Sequence, residues 1–538
     1  MKKELAYNII DILNTIQEAV RQMGEQYAAD NMESFYSLSV DVRDGLLAVQ
    51  QVARQETARQ ETAGENRIRL ADACTCALES LKDIKNFALD SPQKVVWKLD
   101  YELASIVEVT AMQFYYWGIV NEYPEEHGAF KRFLLETETF KLLRMTEQEY
   151  EYDLSIMVTG YNHLDFTTQC IESILKQLPR KIKYQLILLN HGSTDDTKDF
   201  FEKLDSVKVI NIAINGIMPL AENKAISRGR YYLWISNDIV IGHNAIENLY
   251  RCIAEHPQYG FIVPTTPNVS NFQMIPAEYN SRREFEEFAE QNNIYDERKH
   301  EQRVRLCTPA HLMSSEIWTK LMFSLYEDLC CNKNVFSYID DKYSLWMRRD
   351  NYKCILAKDA YCHHFGSVTL KHDLGKQLEQ QKFYQEGRQD FFETYGVDPW
   401  GIGFCYDLEL FNYWKINAID NAVILGINCG LGSNSLKVKE IMREKGAKNI
   451  TLYNATQKKT YLQDLQGVSD KAFSFDRLTD IVAETGRKKF NYVVIEGKIS
   501  HSEEKTVEKL LEEANIQYDE MAVRTSETTW QIVKGSIN

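Results

Sequence analysis

No stretch of this sequence approaches the ~20 consecutive apolar residues that a membrane-spanning helix needs. The opening, MKKELAYNIIDILNTIQEAV, has basic residues but no continuous apolar core, because Asn8, Asp11 and Asn14 interrupt it. Neither a signal peptide nor stable membrane insertion is expected. An excess of positive charge is also missing: 62 basic residues stand against 78 acidic ones, a formal net charge of −16. Nonspecific nucleic-acid binding relies on a basic surface to displace counterions, so no nucleic-acid partner is expected. An acidic substrate held in one local pocket is not excluded. The 11 cysteines lack zinc-ribbon spacing: Cys74-x-Cys76 stands alone and Cys330-Cys331 are adjacent. Reduced structural thiols in a soluble, cytoplasmic protein are the expectation. The sequons at Asn268 and Asn449 then carry no meaning.

What is present is an ordinary globular composition, 44% hydrophobic and 26% charged. At 538 residues the chain is expected to divide into about three domains. Residues 1–147 read as helical. Leu5, Ile9, Ile12, Leu13, Ile16, Val20 and Met23 recur at steps of three and four, one face of an amphipathic helix. Similar patterns return near 35–52, 67–88, 98–120 and 129–145, with Pro92 and Pro124 at breaks. The tandem ARQETARQETAG (53–64) extends a helix end or a loop, and no solenoid period appears. Such a bundle predicts packing, or an oligomer formed through these helices, rather than chemistry.

From Asp153 the texture changes to alternating β and α units, which predicts a parallel sheet with helices on both faces. LSIMVTGYN is a strand and turn, and FTTQCIESILKQL a helix. YQLILLNHGSTDDT and VKVINIA are two further strands, and YYLWISNDIVI a fourth that runs into the polar corner Ser236-Asn237-Asp238. Ligands bind at the carboxyl ends of such strands.

These pieces, in this order, resemble a GT-A glycosyltransferase of the large inverting family two, over about residues 153–370. SIMVTGYNHLDFTTQCIESIL is similar to the family's opening strand, Tyr-Asn turn and first helix, and LILLNHGSTDDT to its second strand and acidic turn. AENKAISRGRYYLWISND resembles the helix leading into the metal-binding Asp-x-Asp strand. FIVPTTPNVSNFQ and YIDDKYSLWMRRDNYKCILAKDAYCHHFGS resemble the acceptor-side acidic motif and the closing His-Gly-Ser strand. The resemblance implies a UDP-sugar donor and Mn²⁺ or Mg²⁺, bound by one or two carboxylates plus the phosphates.

On this resemblance Asp238 is the first metal ligand, with His363 or His364 a second. The general base falls on Asp340 or Asp341, Asp341 being favoured. Adjacent acids opening a helix also have the simpler explanation that they suit its positive end. Thr159, Gly160, Tyr161, Asn190, Asn223 and Asn237 are the candidate nucleotide-binding residues. Tyr161 would stack on the base, and Gly160 would let the backbone approach. Asn190 stands where the family has an acid, and its amide can both donate and accept. Asp195 is expected to cap a helix, and Arg228 and Arg230 either reach phosphates or remain solvated.

The expected division is a helical domain to 147, a GT-A domain over 148–372, a helical connector over 373–415 and a Rossmann-like domain over 416–538. In the last, NAVILGINCGLGSNSLKVKEIMREKGAKNITLYNATQ resembles a methyltransferase fold using S-adenosylmethionine, with a turn at Gly426, Gly430 and Gly432. Asn454 replaces the acid that would hold the cofactor ribose, so a degenerate, structural domain is expected. The leading functional expectation is a metal-dependent inverting glycosyltransferase acting on a protein such as flagellin or a surface protein. Synthesis of a surface polysaccharide, a nucleotide-binding scaffold, and a methyltransferase with an accessory domain are the alternatives.

Overall fold

The computed structural model describes residues 1–58, 69–89, 91–141, 150–215, 220–326, 338–366, 377–500 and 506–535. The end of the ARQETARQETAG tandem, the Cys330-Cys331 pair and the expected boundaries near 147 and 372 lie outside these residues. The protein is a mixed α/β chain with a helical amino-terminal region. It divides into two compact units, Met1–Val240 with Leu312–Val335, and Ile241–His311 with Phe336–Asn538. The division point at Val240 falls within the stretch 148–372.

Contacts within each unit give the physical reason. In the first, helices Lys3–Ala28, Met32–Ala58, Arg69–Phe87 and Ala104–Tyr115 lie beside four strands. Helix Lys3–Ala28 buries Ile9, Leu13, Ile16, Val20 and Met23 of the expected stripe, while Leu5 is half-buried and Ile12 is exposed at the stripe's edge. The strands are β1 (Tyr152–Gly160), β2 (Tyr184–His191), β3 (Lys208–Ile212) and β4 (Gly229–Ser236). They pair in parallel in the order β3-β2-β1-β4. β3 lies outermost in this order, where its backbone would otherwise offer unpaired donors. The helical region covers it: Glu102 accepts from the Asn211 amide at 2.8 Å and from Lys98 Nζ at 2.9 Å. Lys98 also pairs with Glu202 at 2.9 Å, so a buried charge is matched on two sides.

The second unit opens with β6 (Tyr259–Thr265), β7 (His300–Arg303) and β9 (Lys353–Tyr361), following the short β5 (Ile239–Val240) of the first. β6 and β9 run parallel, and β7 runs antiparallel to β9. Between them β8 (Ala310–Ser314) leads the chain back to the first unit, and β10 (His363–His364) follows β9. The carboxyl-terminal sheet comprises β11 (Val423–Ile427), β12 (Thr451–Thr456), β13 (Lys471–Ser474), β14 (Lys489–Ile495), β15 (Gln517–Arg524) and β16 (Trp530–Lys534). Its order is β13-β12-β11-β14-β15-β16, parallel except for the last pair.

Two ionic clusters bind these parts of the second unit together. Buried Asp464, before β13, accepts four N–H bonds at 2.8–3.1 Å from Arg348 and Arg349. Both arginines end the helix Ile339–Arg349. At Glu301, burial works against ionisation, yet Arg303, Lys437 and Lys358 hold its carboxyl well below the usual range. Gly467 is required beside the first cluster, because a Cβ there would lie 2.1 Å from the Arg348 carbonyl oxygen.

Candidate active site

In the first unit, polar turns gather at the carboxyl ends of β1, β2 and β4. After β1 the chain passes through Asn162 and His163, both left-handed at φ 54° and 59°. Asn tolerates that conformation because its short side chain bonds locally. Here Asn162 Oδ1 accepts from the Thr194 amide at 2.7 Å, and the Asn162 amide donates to Ser193 Oγ at 2.9 Å. The turns after β1 and β2 are thus clasped to each other. Asp195 accepts from the Thr197 and Leu164 amides at 3.1 and 3.2 Å, so it serves two helix starts.

The Ser236-Asn237-Asp238 corner joins the same cluster. Asn237 Nδ2 donates to Thr167 Oγ1 at 2.8 Å and to the Asn162 carbonyl at 3.2 Å. Ser236 Oγ donates to Asp238 Oδ1 at 2.7 Å, fixing the carboxylate in the turn that leaves β4. Thr159 accepts from Trp234 Nε1 at 2.8 Å, and half-buried Tyr161 follows it.

Other sequence candidates have different neighbours. Asn190 is buried, accepts from the Ser193 amide at 3.1 Å and donates to Asn211 Oδ1 at 3.2 Å, so its amide is spent on the fold. Asn223 is buried too, with Oδ1 accepting from Trp318 Nε1 at 2.8 Å. Through this bond it anchors the helix Ser315–Ser324. The neighbour Gly160 admits is the Phe201 ring, 3.3 Å from where its Cβ would stand. Arg228 pairs with Glu151 at 2.7 Å and lies 5.3 Å from the Tyr101 ring centre, in the helical region. Beside Asn223, Glu222 went unnoticed in the sequence. Burial pushes its carboxyl up to about 8, and its Oε2 has no hydrogen-bond partner.

In the second unit, Asp340 and Asp341 open the helix Ile339–Arg349 but differ in surroundings. Asp341 is buried in an ion pair with Arg305 at 2.5 Å. Burial pushes it up to about 6 against the opposing pull of Arg305. Asp340 is partly exposed and accepts from Thr308 Oγ1 at 2.5 Å. Burial raises its pKa, and the Thr308 hydroxyl opposes the shift. Arg305 and Thr308 are residues that no motif signalled, because their role depends on a loop 32–36 positions away. His363 Nδ1 bonds the Tyr279 hydroxyl at 2.7 Å. Burial, then the neighbouring His364, lower its pKa, favouring the neutral imidazole that ligates metals. The His364 carbonyl accepts from Asn268 Nδ2 at 3.2 Å.

A carboxylate leaving β4 and a neutral imidazole are donors suited to a divalent ion. Among the described residues no cluster of three or more such side chains exists, so a bound ion would need oxygens from its ligand.

In the carboxyl-terminal sheet, the glycine turn after β11 faces the connector. The Leu431 and Ser433 amides donate to the Ile402 and Gly403 carbonyls at 2.9 and 3.1 Å. A Cβ on Gly430, at φ 55°, would lie 1.9 Å from Ile402 O. Asn454 is fully buried between Ser435 and Ser469.

A parallel sheet whose carboxyl-end turns converge on a strand-end carboxylate has the arrangement in which α/β proteins place their ligands. Residues 155–306 match the sequence profile described as Glycosyl transferase family 2, so this segment is a glycosyltransferase family 2 domain. Over 108 residues the chain is 32% identical to Glycosyltransferase GlyG of Streptococcus pneumoniae serotype 4, covering 19% of this chain and 35% of that protein. Over 110 residues it is 31% identical to the Poly(ribitol-phosphate) beta-glucosyltransferase of Bacillus spizizenii, covering 19% and 17%. The chain thus spans well under half the length of these curated relatives. Among solved structures, GalNAc-T7 with UDP, GalNAc and Mn²⁺ aligns over 45% of this chain and 52% of that one. That alignment has 11% identity and a TM-score of 0.32, too slight a likeness to carry an argument.

Proposed function

We propose that this chain is an inverting glycosyltransferase that moves a sugar from a UDP-linked donor to a hydroxyl of a glycan acceptor. The observation that carries the reading is the family 2 match lying over the β1, β2 and β4 strand ends, where Asp238 stands. Asp238 would hold Mn²⁺ or Mg²⁺ together with the donor phosphates. When bound, the ion neutralises charge on the departing diphosphate. Tyr161 would cover the nucleotide base, and the Asn162–Ser193–Thr194 clasp fixes the turn that follows it.

Of the two acids, Asp340 is the general base. It is partly exposed and free of an ion pair with Arg305, whereas Asp341 is buried in one. The acceptor hydroxyl gives its proton to the Asp340 carboxylate as its oxygen attacks the anomeric carbon. Asp341, tied to Arg305, is a positioning residue that holds the helix start. One of the named relatives is a poly(ribitol-phosphate) glucosyltransferase, which favours a glycan over a bare protein side chain as acceptor. For the carboxyl-terminal sheet, the closed glycine turn and buried Asn454 support a structural role over methyl transfer.

Calorimetry with UDP, with and without Mn²⁺, tests the donor site. Metal-dependent UDP binding that disappears in Asp238→Ala is expected, along with turnover of at least one UDP-sugar. Unchanged UDP binding in Asp238→Ala, with no hydrolysis or transfer from any UDP-sugar, would refute the assignment.

A further inference from the structure

The second unit contains a cavity of about 1500 Å³, larger than the roughly 300–1,000 Å³ of a usual small-molecule site. The loop at residues 270–272, the connector over 400–409 and the ends of β14 and β15 line it. Phe272, Trp400, Ile402 and Leu408 are large apolar side chains left 39–43% exposed, and all four belong to this lining. Apolar surface gathered in this way, and not scattered singly, marks a binding site.

The backbone presents one of these rings at a cost. Asn271 and Phe272 are both left-handed, at φ 66° and 51°, a conformation costly for a bulky side chain. Arg303 holds them there, donating to the Asn271 carbonyl at 3.3 Å and the Phe272 carbonyl at 3.0 Å. Behind the wall, Asn271 Oδ1 and Arg524 Nε are buried without a hydrogen-bond partner.

Charge in the lining is nearly balanced, four basic side chains against five acidic ones, with Arg388 paired to Asp398 and Arg524 to Glu496. A polyanion finds little here. A nucleotide cofactor is disfavoured because the glycine-turn amides are already taken by Ile402 and Gly403. Rings, hydroxyl-compatible groups and near-neutral charge suit a carbohydrate, which offers an apolar ring face and a polar edge. The cavity also abuts the acidic pair. The Trp400 ring centre lies 4.9 Å from that of Tyr338, the residue before the helix Ile339–Arg349, and 5.9 Å from the Arg305 guanidinium.

We propose that this cavity binds an uncharged oligosaccharide, whose rings stack on Trp400 and Phe272. That this oligosaccharide is the acceptor rests on the glycosyltransferase reading above; the binding itself does not. The test uses the full chain in calorimetry with chitotriose, cellotriose and maltotriose, and with a poly(ribitol phosphate) oligomer as the charged comparison. At least one trisaccharide is expected to bind with a Kd of about 1 mM or tighter. Trp400→Ala should weaken that binding by about tenfold or more, and Trp400→Phe should restore most of it. Thermal unfolding of the partly exposed Trp400 variants verifies that they fold. No trisaccharide binding, binding equal in Trp400→Ala, or binding of the charged oligomer alone would each overturn the proposal. Trisaccharide binding in a chain that binds no UDP would leave the site standing and remove only its role as acceptor site.

Discussion

Replacing Asp464 by alanine tests whether the carboxyl-terminal sheet holds the acid-bearing helix in place. The carboxylate is fully buried, and each of its oxygens accepts two N–H bonds, at 2.8–3.1 Å, from Arg348 or Arg349. Arg348 is itself only 4% exposed, so alanine would strand a buried guanidinium. Breaking such a pair from one side costs about 3–5 kcal/mol, a large part of the roughly 5–15 kcal/mol that holds a typical domain folded. Urea unfolding followed by circular dichroism should show that loss in the transition of the second unit. The double variant Arg348→Met/Asp464→Leu removes both charges and should recover much of it. Because Arg348 and Arg349 end the helix that begins with Asp340 and Asp341, transfer should fall even where Asp464→Ala remains folded. A loss below about 1 kcal/mol, or a double variant no more stable than the single one, would refute the reasoning.

Two further outcomes follow from the acids. Asp340→Asn should lower kcat by about 10²–10⁴-fold with KM little changed, whereas Asp341→Asn should chiefly lower thermal stability; steady-state kinetics and melting curves on both variants separate base from positioning residue, and the reverse pattern would reassign them. Glu222, raised from 4.5 to about 8, binds its proton more tightly when folded, so its contribution to stability is full at low pH and lost as pH rises through that window. Glu222→Gln should therefore gain on the parent chain between pH 5 and pH 8, by an amount on the order of a few kcal/mol, read from unfolding curves at each pH.

Periodicity was enough to place the amino-terminal helices, because an amphipathic stripe such as Ile9–Leu13–Ile16–Val20 is a local property. Strand-then-polar-turn texture likewise located β1, β2 and β4 and set Asp238 at a strand end, since β1 to β4 are short apolar runs closed by turn residues. Which polar side chain is spent on the fold was not legible. Asn190 and Asn223 read as ligands by position, yet Asn211 and Trp318, brought up by β3 and a distant helix, occupy them.

The same limit applies to the acidic pair. Sequence determined that two adjacent carboxylates open a helix, but Arg305 and Thr308, supplied by a separate loop, give them unequal environments. The cavity, too, is a product of tertiary structure. Its walls come from segments more than 200 residues apart, and no periodicity links Phe272 to Trp400 or Glu496. Local pattern fixes which elements form, because backbone hydrogen bonding and side-chain spacing are short-ranged. Partner, burial and charge are fixed only when those elements pack, because desolvation and pairing depend on neighbours remote in the chain.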